Sequence, residues 1–392
     1  MTTNPPRGPL HGVRVLDLTR VLAGPYATML LWELGAEVLK VEHPGDGDDT
    51  RAFPPFQHGE SVYFASINRG KRSIALNLKD AADRAVFDRL LAESDVLIEN
   101  FRPGTMEKLG YGWEAVHSAH PRLTYCAISG FGHTGPYRDR PAYDILVQAL
   151  GGMMSINGPE GGPPTRVGAS IADLGAGVFA ALGVAAALVD ARAGGEGRFI
   201  DIAMFDVQSG LLENAMARFF AKGEVAVPLG SRHPSITPFD AFRAADGWLV
   251  IGCANDHLFA TLAEALGAPG LAADARFATV AARTEHHLAL KAAIESALAG
   301  ASVADWIARF LAAGVPAAPI RGVDQVAADP QLAARGMIVE AADPDSGALR
   351  MVGNPVKISG YAPDPLTRPP APNLDQDGPA IRARLARGQD AS

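Results

Sequence analysis

Six short apolar runs alternate with helix-period stretches over the first two hundred residues, and this alternation limits the fold more than any other feature. The runs are GVRVLDLT, EVLKVEHP, SIALNLK, DVLIENF, RLTYCAISG and RFIDIAMF. Between them lie YATMLLWELGA, AADRAVFDRLLAES, GWEAVHSA and LGAGVFAALGVAAALVDAR, which read as helices. Gly35 stands near the end of the first helix, where a left-handed residue is wanted. Alternating strands and helices predict an α/β, Rossmann-like domain with a mostly parallel sheet.

The chain has 392 residues, and single cores stop growing at roughly 250–300 residues, so two packed bodies are expected. Residues 1–222 read as the first part of a large α/β domain, and the unperiodic, Pro/Gly-punctuated stretch 223–236 as a linker. The hairpin FDAFRAA–Asp246-Gly247–WLVIGCA then opens a smaller α+β domain over 237–330, with helical patterns at 255–267, 282–299 and 302–313 and a strand at VPAAPI. Residues 331–392 read as a return segment. It contains a second hairpin (MIVEAAD to ALRMVG) and ends in an extended Pro-rich arm from Pro363, packing on the large domain.

Composition removes several function classes. The formal net charge of −8 leaves no global field for nucleic acid or an anionic membrane. The two cysteines, Cys126 and Cys253, are too far apart for a zinc ribbon and too few for a disulfide scaffold, and point to the cytosol. The start, MTTNPPRGPLHG, has no apolar run of the signal-peptide kind. The apolar run at 174–189 is shorter than the roughly 20 residues a membrane span needs.

Motifs narrow the chemistry further. The first β-α turn is RVLAGP and lacks the dinucleotide glycines. Gly70-Lys71 has a P-loop flavour, but Arg72 stands where a magnesium-binding hydroxyl belongs. His286 and His287 are adjacent and diverge on a helix, and no metal-ligand or G-x-S-x-G spacing occurs. Two basic groups remain near strand ends: one around Lys71, Arg72 and Lys79, the other around Asn100, Phe101, Arg102 and Lys108. Strand ends are where open α/β sheets take ligands, so these groups suit a phosphorylated one; they also suit ordinary solvated loops. Asp173, before a small-residue helix, has two readings as well. It can cap the helix, or it can present a carboxylate to glycine-rich backbone that lets an acyl group approach closely.

The ordered strings GVRVLDLTRVLAGP, EVLKVEHPGDGDDTR, NRGKRSIALNLK, DVLIENFRPGTMEKLGYG, SGFGHTGPYRDRPAYDILVQA and GRFIDIAMFD, together with the Asp173 segment, add an independent argument. With them the chain resembles the class III CoA-transferases, the superfamily of formyl-CoA transferase, carnitine CoA-transferase and alpha-methylacyl-CoA racemase. The resemblance implies Asp173 as a nucleophile that carries CoA as an aspartyl thioester, without metal or any cofactor beyond the CoA substrate. It implies CoA contacts from Val21, Leu22, Ala23, His43, Leu76, Lys79, Asn100, Phe101, Arg102, Lys108, Ala142, Tyr143 and Asp144, with Lys71 and Arg72 as further phosphate partners. It also implies a two-domain chain in an interlocked homodimer.

Three activities stay open within that superfamily. A racemase needs a His and an Asp on opposite faces of the substrate, and Tyr143 stands where the His belongs. A phenol of pKa about 10 is a poor base there, so transfer is favoured. His133 would serve instead only if its loop folds back. The third activity is a non-catalytic CoA-binding subunit. Among transferases, the formyl-CoA/oxalate branch carries a run of glycines that PLGSRHPSITPFDAF lacks, which favours a succinyl-CoA or other dicarboxylyl-CoA donor. Arg232 or His233 is a candidate for a distal carboxylate, and is equally at home as a linker residue.

Overall fold

The six apolar runs form one sheet whose strands we label β1 (Arg14–Asp17), β2 (Glu37–Glu42), β3 (Arg72–Ala75), β4 (Val96–Glu99), β5 (Thr124–Ser129) and β6 (Phe199–Ala203). This is a computed structural model, and it describes residues 8–343, 347–361 and 367–387. The start through Arg7, the turn between the two strands of the second hairpin, and Pro363 lie outside the described residues.

Every pairing in the sheet is parallel, in the order β3-β2-β1-β4-β5-β6. Strands buried on both faces need continuous apolar runs, which is what these sequences supply. Alternate residues enter two cores. Val15, Val38, Val96 and Ile98 pack with the Ala23–Glu33 and Ile171–Arg192 helices. Leu16, Ile74, Leu97 and Tyr125 pack with Phe87, Leu90 and Leu91 of the Ala81–Ala92 helix. Each fully buried Leu or Ile is worth about 1.5–3 kcal/mol.

The Ile171–Arg192 helix has 22 residues and is long and apolar enough to cross a membrane by length and composition only, a test that the core helix of a soluble protein also passes. It is longer than the apolar run suggested. Its Ala172, Ala176, Gly177, Ala180 and Val184 are buried, one stripe at helical spacing. At Gly177 the approach is so close that a Cβ would stand 2.7 Å from the Ala23 carbonyl oxygen and 3.0 Å from the Tyr26 ring.

The chain divides into two compact units: one holds residues up to 153, 167–222 and 330 onward, the other 154–166 and 223–329. The stretch 154–166, read from sequence as part of the large domain, groups with the second unit, where Gly230 N–H donates to the Gly158 carbonyl. Residues 223–236 belong to that unit too, rather than forming a free linker. Its sheet contains β7 (Phe239–Arg243), β8 (Trp248–Gly252) and β9 (Ala317–Pro319), all antiparallel, over a core that includes Phe242, Leu249, Phe259, Leu290 and Phe310.

The return segment forms β10 (Ile338–Asp343) and β11 (Gly347–Val352), an antiparallel pair, with β12 (Thr367–Arg368) parallel to β10. One sequence expectation fails here. The end of the chain is not an extended arm throughout, because Gly378–Arg387 is a helix whose Ile381 and Leu385 enter the core beside Phe87. The i, i+4 spacing of those two residues carried the signal.

Gly70 makes the turn into β3 at a φ of +73°, with Trp32 packed directly over it. Both the conformation and the space demand glycine. Gly70→Ala is expected to lower unfolding free energy by about 2–4 kcal/mol. Denaturant titration measures this, and an unchanged midpoint would contradict the packing described.

Candidate active site

The strand order reverses between β1 and β4, and the chain leaves a crevice above the carboxyl ends of the strands there. A cleft of about 290 Å³ occupies this place. Leu18, Thr19 and Arg20 after β1, His43 after β2, Leu76 and Lys79 after β3, and Phe101 after β4 line it. Four separate strand ends therefore converge on one space.

A buried charge network forms its floor. Lys40 Nζ lies 2.8 Å from Asp48 Oδ2 and donates to the Thr19 carbonyl at 2.6 Å. Lys71 Nζ donates to Asp17 Oδ2 (3.1 Å), Thr28 Oγ1 (2.7 Å), Asn68 Oδ1 (2.8 Å) and the Pro25 carbonyl (3.1 Å). Burial opposes ionisation of Asp17, but Lys71, Lys40 and two threonine hydroxyls more than offset it and hold its pKa below the usual carboxylate range. Burial draws Lys71 down to about 8 against the pull of Asp17, so both are charged at neutral pH.

This network holds the loop after β1. Asp48 Oδ1 accepts from Val21 N–H at 3.1 Å, and Asn100 bridges Arg20, accepting from its N–H and donating to its carbonyl. Val21 has a φ of +67°, a strained state for a β-branched residue that persists only where the surroundings impose it. Leu22 and Ala23 then begin the Ala23–Glu33 helix, so a helix N-terminus follows the strained residue directly. Phe101 forms a wall, with the Arg20 guanidinium 5.7 Å above its ring. His43 and Lys79 are exposed at the rim, and Leu76 is buried.

Three sequence expectations are corrected by position. Lys71 is enclosed and spends its ammonium on four protein acceptors, which leaves nothing for a phosphate. Arg72 begins β3, at the end of the strand opposite to the cleft, pairs with Asp377 at 3.0 Å, and lines a different cavity with Arg14 and Glu37. The third is Asp144, which is buried with both oxygens engaged inside the protein. Arg102 and Lys108 are exposed beyond the cleft lining. Arg20, Lys40 and Asp48 are cleft residues that sequence reasoning missed; only Asp48 had a signal, in the run GDGDD.

Asp173 lies in the first turn of the Ile171–Arg192 helix, one turn before Gly177, on the face that meets Ala23 and Tyr26. It is not the cap. Ser170 holds that position without a side-chain bond, and Asp144 Oδ1 instead accepts from Ala172 N–H at 2.9 Å. Among the described residues the Asp173 carboxylate makes no hydrogen bond or ion pair. Burial, with the Asp144 charge adding to it, pushes its pKa up to about 7. The Tyr63 phenol is raised by burial and then by Asp173 and Asp48, so it stands within electrostatic reach of both the helix start and the cleft floor. Sequence reasoning missed Tyr63. Ala142 is half-buried and Tyr143 exposed, just before Asp144. The His133 ring packs edge-on against Phe199, and its backbone N–H donates to Asp201 Oδ2.

In the second unit, Arg232 and His287 border a cavity of only about 10 Å³, enough for one water and not for a dicarboxylate. His233 packs on Phe239.

Residues 10–378 match the model of CoA-transferase family III. The chain belongs to that family. It is 48% identical to acetyl-CoA:oxalate CoA-transferase of Acetobacter aceti, over 97% of each chain. It is 39% identical to succinyl-CoA:glutarate CoA-transferase of Mus musculus, over 92% of this chain and 83% of that one. A solved CaiB/BaiF family protein from Brucella suis superposes with a TM-score of 0.85 at 39% identity, over 97% of this chain and all of that one. The protein is therefore a family III CoA-transferase. The missing glycine run does not by itself separate this transferase from relatives named for oxalate.

An unpaired carboxylate next to another acid destabilises the fold once ionised. Its folded pKa lies above the unfolded value of about 3.8, so stability falls as pH rises from about 4 to about 7 and levels off above. Asp173→Asn is expected to stabilise the transferase at pH 8 by about 1–3 kcal/mol, with the gain vanishing near pH 4. Chemical denaturation at the two pH values measures it; equal stability of parent and variant at pH 8 would refute it.

Proposed function

We propose that this CoA-transferase moves CoA from an acyl-CoA to a short dicarboxylic acid, with Asp173 as the covalent carrier. The observation that carries the reading is the unpaired, half-buried carboxylate of Asp173 in a helix first turn, in a chain whose strand ends also form a cleft suited to a phosphorylated ligand. Relatives named for oxalate and glutarate support the dicarboxylic acceptor. Acetyl-CoA and succinyl-CoA, the donors in those names, are the two to test first.

The chemistry balances without ATP or metal. An Asp173 oxygen attacks the thioester carbon, the C–S bond breaks, and CoA leaves as thiolate from a mixed anhydride. The thiolate attacks the Asp173 carbonyl carbon, releasing the donor acid and leaving an aspartyl-CoA thioester. The acceptor carboxylate repeats both steps in reverse and restores the Asp173 carboxylate. A carboxylate of raised pKa is a stronger nucleophile than a solvated one, and a water-poor site protects the anhydride.

In this reading Val21, Leu22, Ala23, His43, Leu76, Lys79, Asn100 and Phe101 receive the nucleotide, with Arg102 and Lys108 beyond the rim. Ala142 and Tyr143 would border the acyl end. A homodimer belongs to the same proposal. Val178, Phe179, Leu182 and Val189 are exposed on the outer face of the Ile171–Arg192 helix, an apolar stripe that a second copy would cover.

Wild-type enzyme incubated with acyl-CoA and then hydroxylamine is expected to carry one modified carboxylate, at Asp173. Asp173→Ala is expected to lose at least about 10³-fold in kcat while still binding CoA. Because the ionised form reacts, kcat/KM is expected to fall below about pH 7. Normal turnover by the alanine variant would overturn the assignment. So would alpha-deuteration of a 2-methylacyl-CoA in deuterated water without any acceptor acid, which is the signature of a racemase.

A further inference from the structure

The residues that hold Asp173 in place form a short buried relay on the Asp144–Leu150 helix. Asp144 Oδ1 accepts from Ala172 N–H at 2.9 Å, the peptide adjacent to Asp173. Asp144 Oδ2 accepts from Gln148 Nε2 at 2.7 Å, and Gln148 Oε1 accepts from Val167 N–H at 2.8 Å. Gln148 is fully buried and Asp144 nearly so. One carboxylate and one amide thus fasten both the first turn of the nucleophile's helix and the strand of chain that leads into it. We infer that Asp144 and Gln148 are positioning residues for CoA transfer: they fix the Asp173 helix start and keep one negative charge beside the nucleophile, and they do not bind CoA.

Geometry alone explains why these residue types are needed. A helix N-terminus leaves N–H groups unsatisfied, and Ser170 supplies no side-chain cap. A carboxylate arriving from another helix satisfies one of them with a charge-assisted bond. Its charge then repels ionisation of Asp173, in the same direction as burial. Among the described residues no cation offsets this. From the Val62–Asn68 helix the Tyr63 phenol comes within electrostatic reach, and from the Ala23–Glu33 helix Tyr26 packs at Gly177. The Met204–Leu211 helix meets Gly175 with Val207 and Leu211. Burial is the larger cause of the weak acidity of Asp173, and Asp144 is the charged group that adds to it, from a position it cannot leave without freeing the helix start.

This inference rests on the carrier role proposed for Asp173, and the test separates the two. Asp144→Asn keeps an oxygen for Ala172 N–H and removes the charge, but it turns an NH₂ toward Gln148. The double variant Asp144→Asn/Gln148→Glu restores both bonds and moves the charge to residue 148, away from Asp173. In Asp144→Asn the acid limb of kcat/KM is expected to move down by about one pH unit, kcat to fall about tenfold, and KM for the acyl-CoA to stay within about twofold. The double variant is expected to regain most of kcat while the limb stays low. An unmoved limb with KM raised about tenfold would overturn the inference and return Asp144 to the CoA site. A limb and kcat both unchanged would also overturn it. If Asp144→Asn does not fold, the double variant decides by the same limb. Hydroxylamine labelling accompanies each assay. Absence of label on Asp173 in wild type means the carrier role has failed, whereas label with an unshifted limb means only the relay has.

Discussion

The two enclosed ion pairs beneath the strand crossover, Lys40–Asp48 and Lys71–Asp17, are the constraint on which the rest of the site depends. Taking ions out of water costs several kcal/mol each, and attraction repays this only where every remaining polar atom finds a partner. Here most do. Lys71 meets four acceptors, and Asp17 takes bonds from Thr19 and Thr28. An apolar core of the same volume would pack as well, but it would not choose a loop conformation. Asp48 does choose one: the oxygen that accepts from Thr50 N–H also accepts from Val21 N–H, so the loop after β1 is tied to the loop after β2. The strain at Val21 is held by that bond and by the Asn100 bridge next to it.

The charges in this molecule are sorted by depth. Inside, cations and carboxylates cancel, so the floor exerts little net field. At the rim, Arg20, His43 and Lys79 stand where an anionic group would meet them first. At the helix start, Asp173 and Asp144 form an acidic pair with no cation among their partners in the described residues. A ligand with an anionic tail and a neutral thioester end fits that division, tail to the cations and thioester to the carboxylate. The arrangement also explains how one chain can carry a weakly acidic Asp173 and a strongly acidic Asp17. Asp17 is fully buried with lysines and hydroxyls around it, whereas half-buried Asp173 has another acid as the charged group near it.

The fold of the sheet was legible because its determinants are local. Apolar runs such as VRVLDL and DVLIEN need both faces buried, and the intervening helices show their period in Phe87, Leu90 and Leu91. What local pattern could not supply was direction and partnership. Lys71 and Arg72 read as ligand residues because they lie near a strand, yet they stand where β3 begins, and in a parallel sheet the ligand end is the one the chain leaves. Asp144 read as a CoA contact because its neighbours in the motif do, and its bond to Ala172 spans 28 positions that no spacing rule connects. Tyr63 carries no signal at all in the sequence; it matters only because its helix approaches Asp173. The closing helix was legible in principle from Ile381 and Leu385, and was obscured by the prolines before it.

The small-residue stripe of the Ile171–Arg192 helix has a cause that composition hides. A helix rich in Ala and Gly gives up side-chain burial, so its stability must come from close approach instead. Gly177 admits the Ala23 carbonyl and the Tyr26 ring to a distance that a Cβ would forbid. Ala23 is the first residue of the helix that follows strained Val21, and Gly177 is one turn beyond Asp173. The same glycine therefore sets the separation of two helix starts, one at the cleft and one bearing the carboxylate. Enlarging it would do more than create a clash. It would move Asp173 away from the end of β1, where the charge network has fixed everything else. Packing at Gly177, the relay through Asp144 and the bond from Asp48 to Val21 thus act on one distance, from the cleft to Asp173.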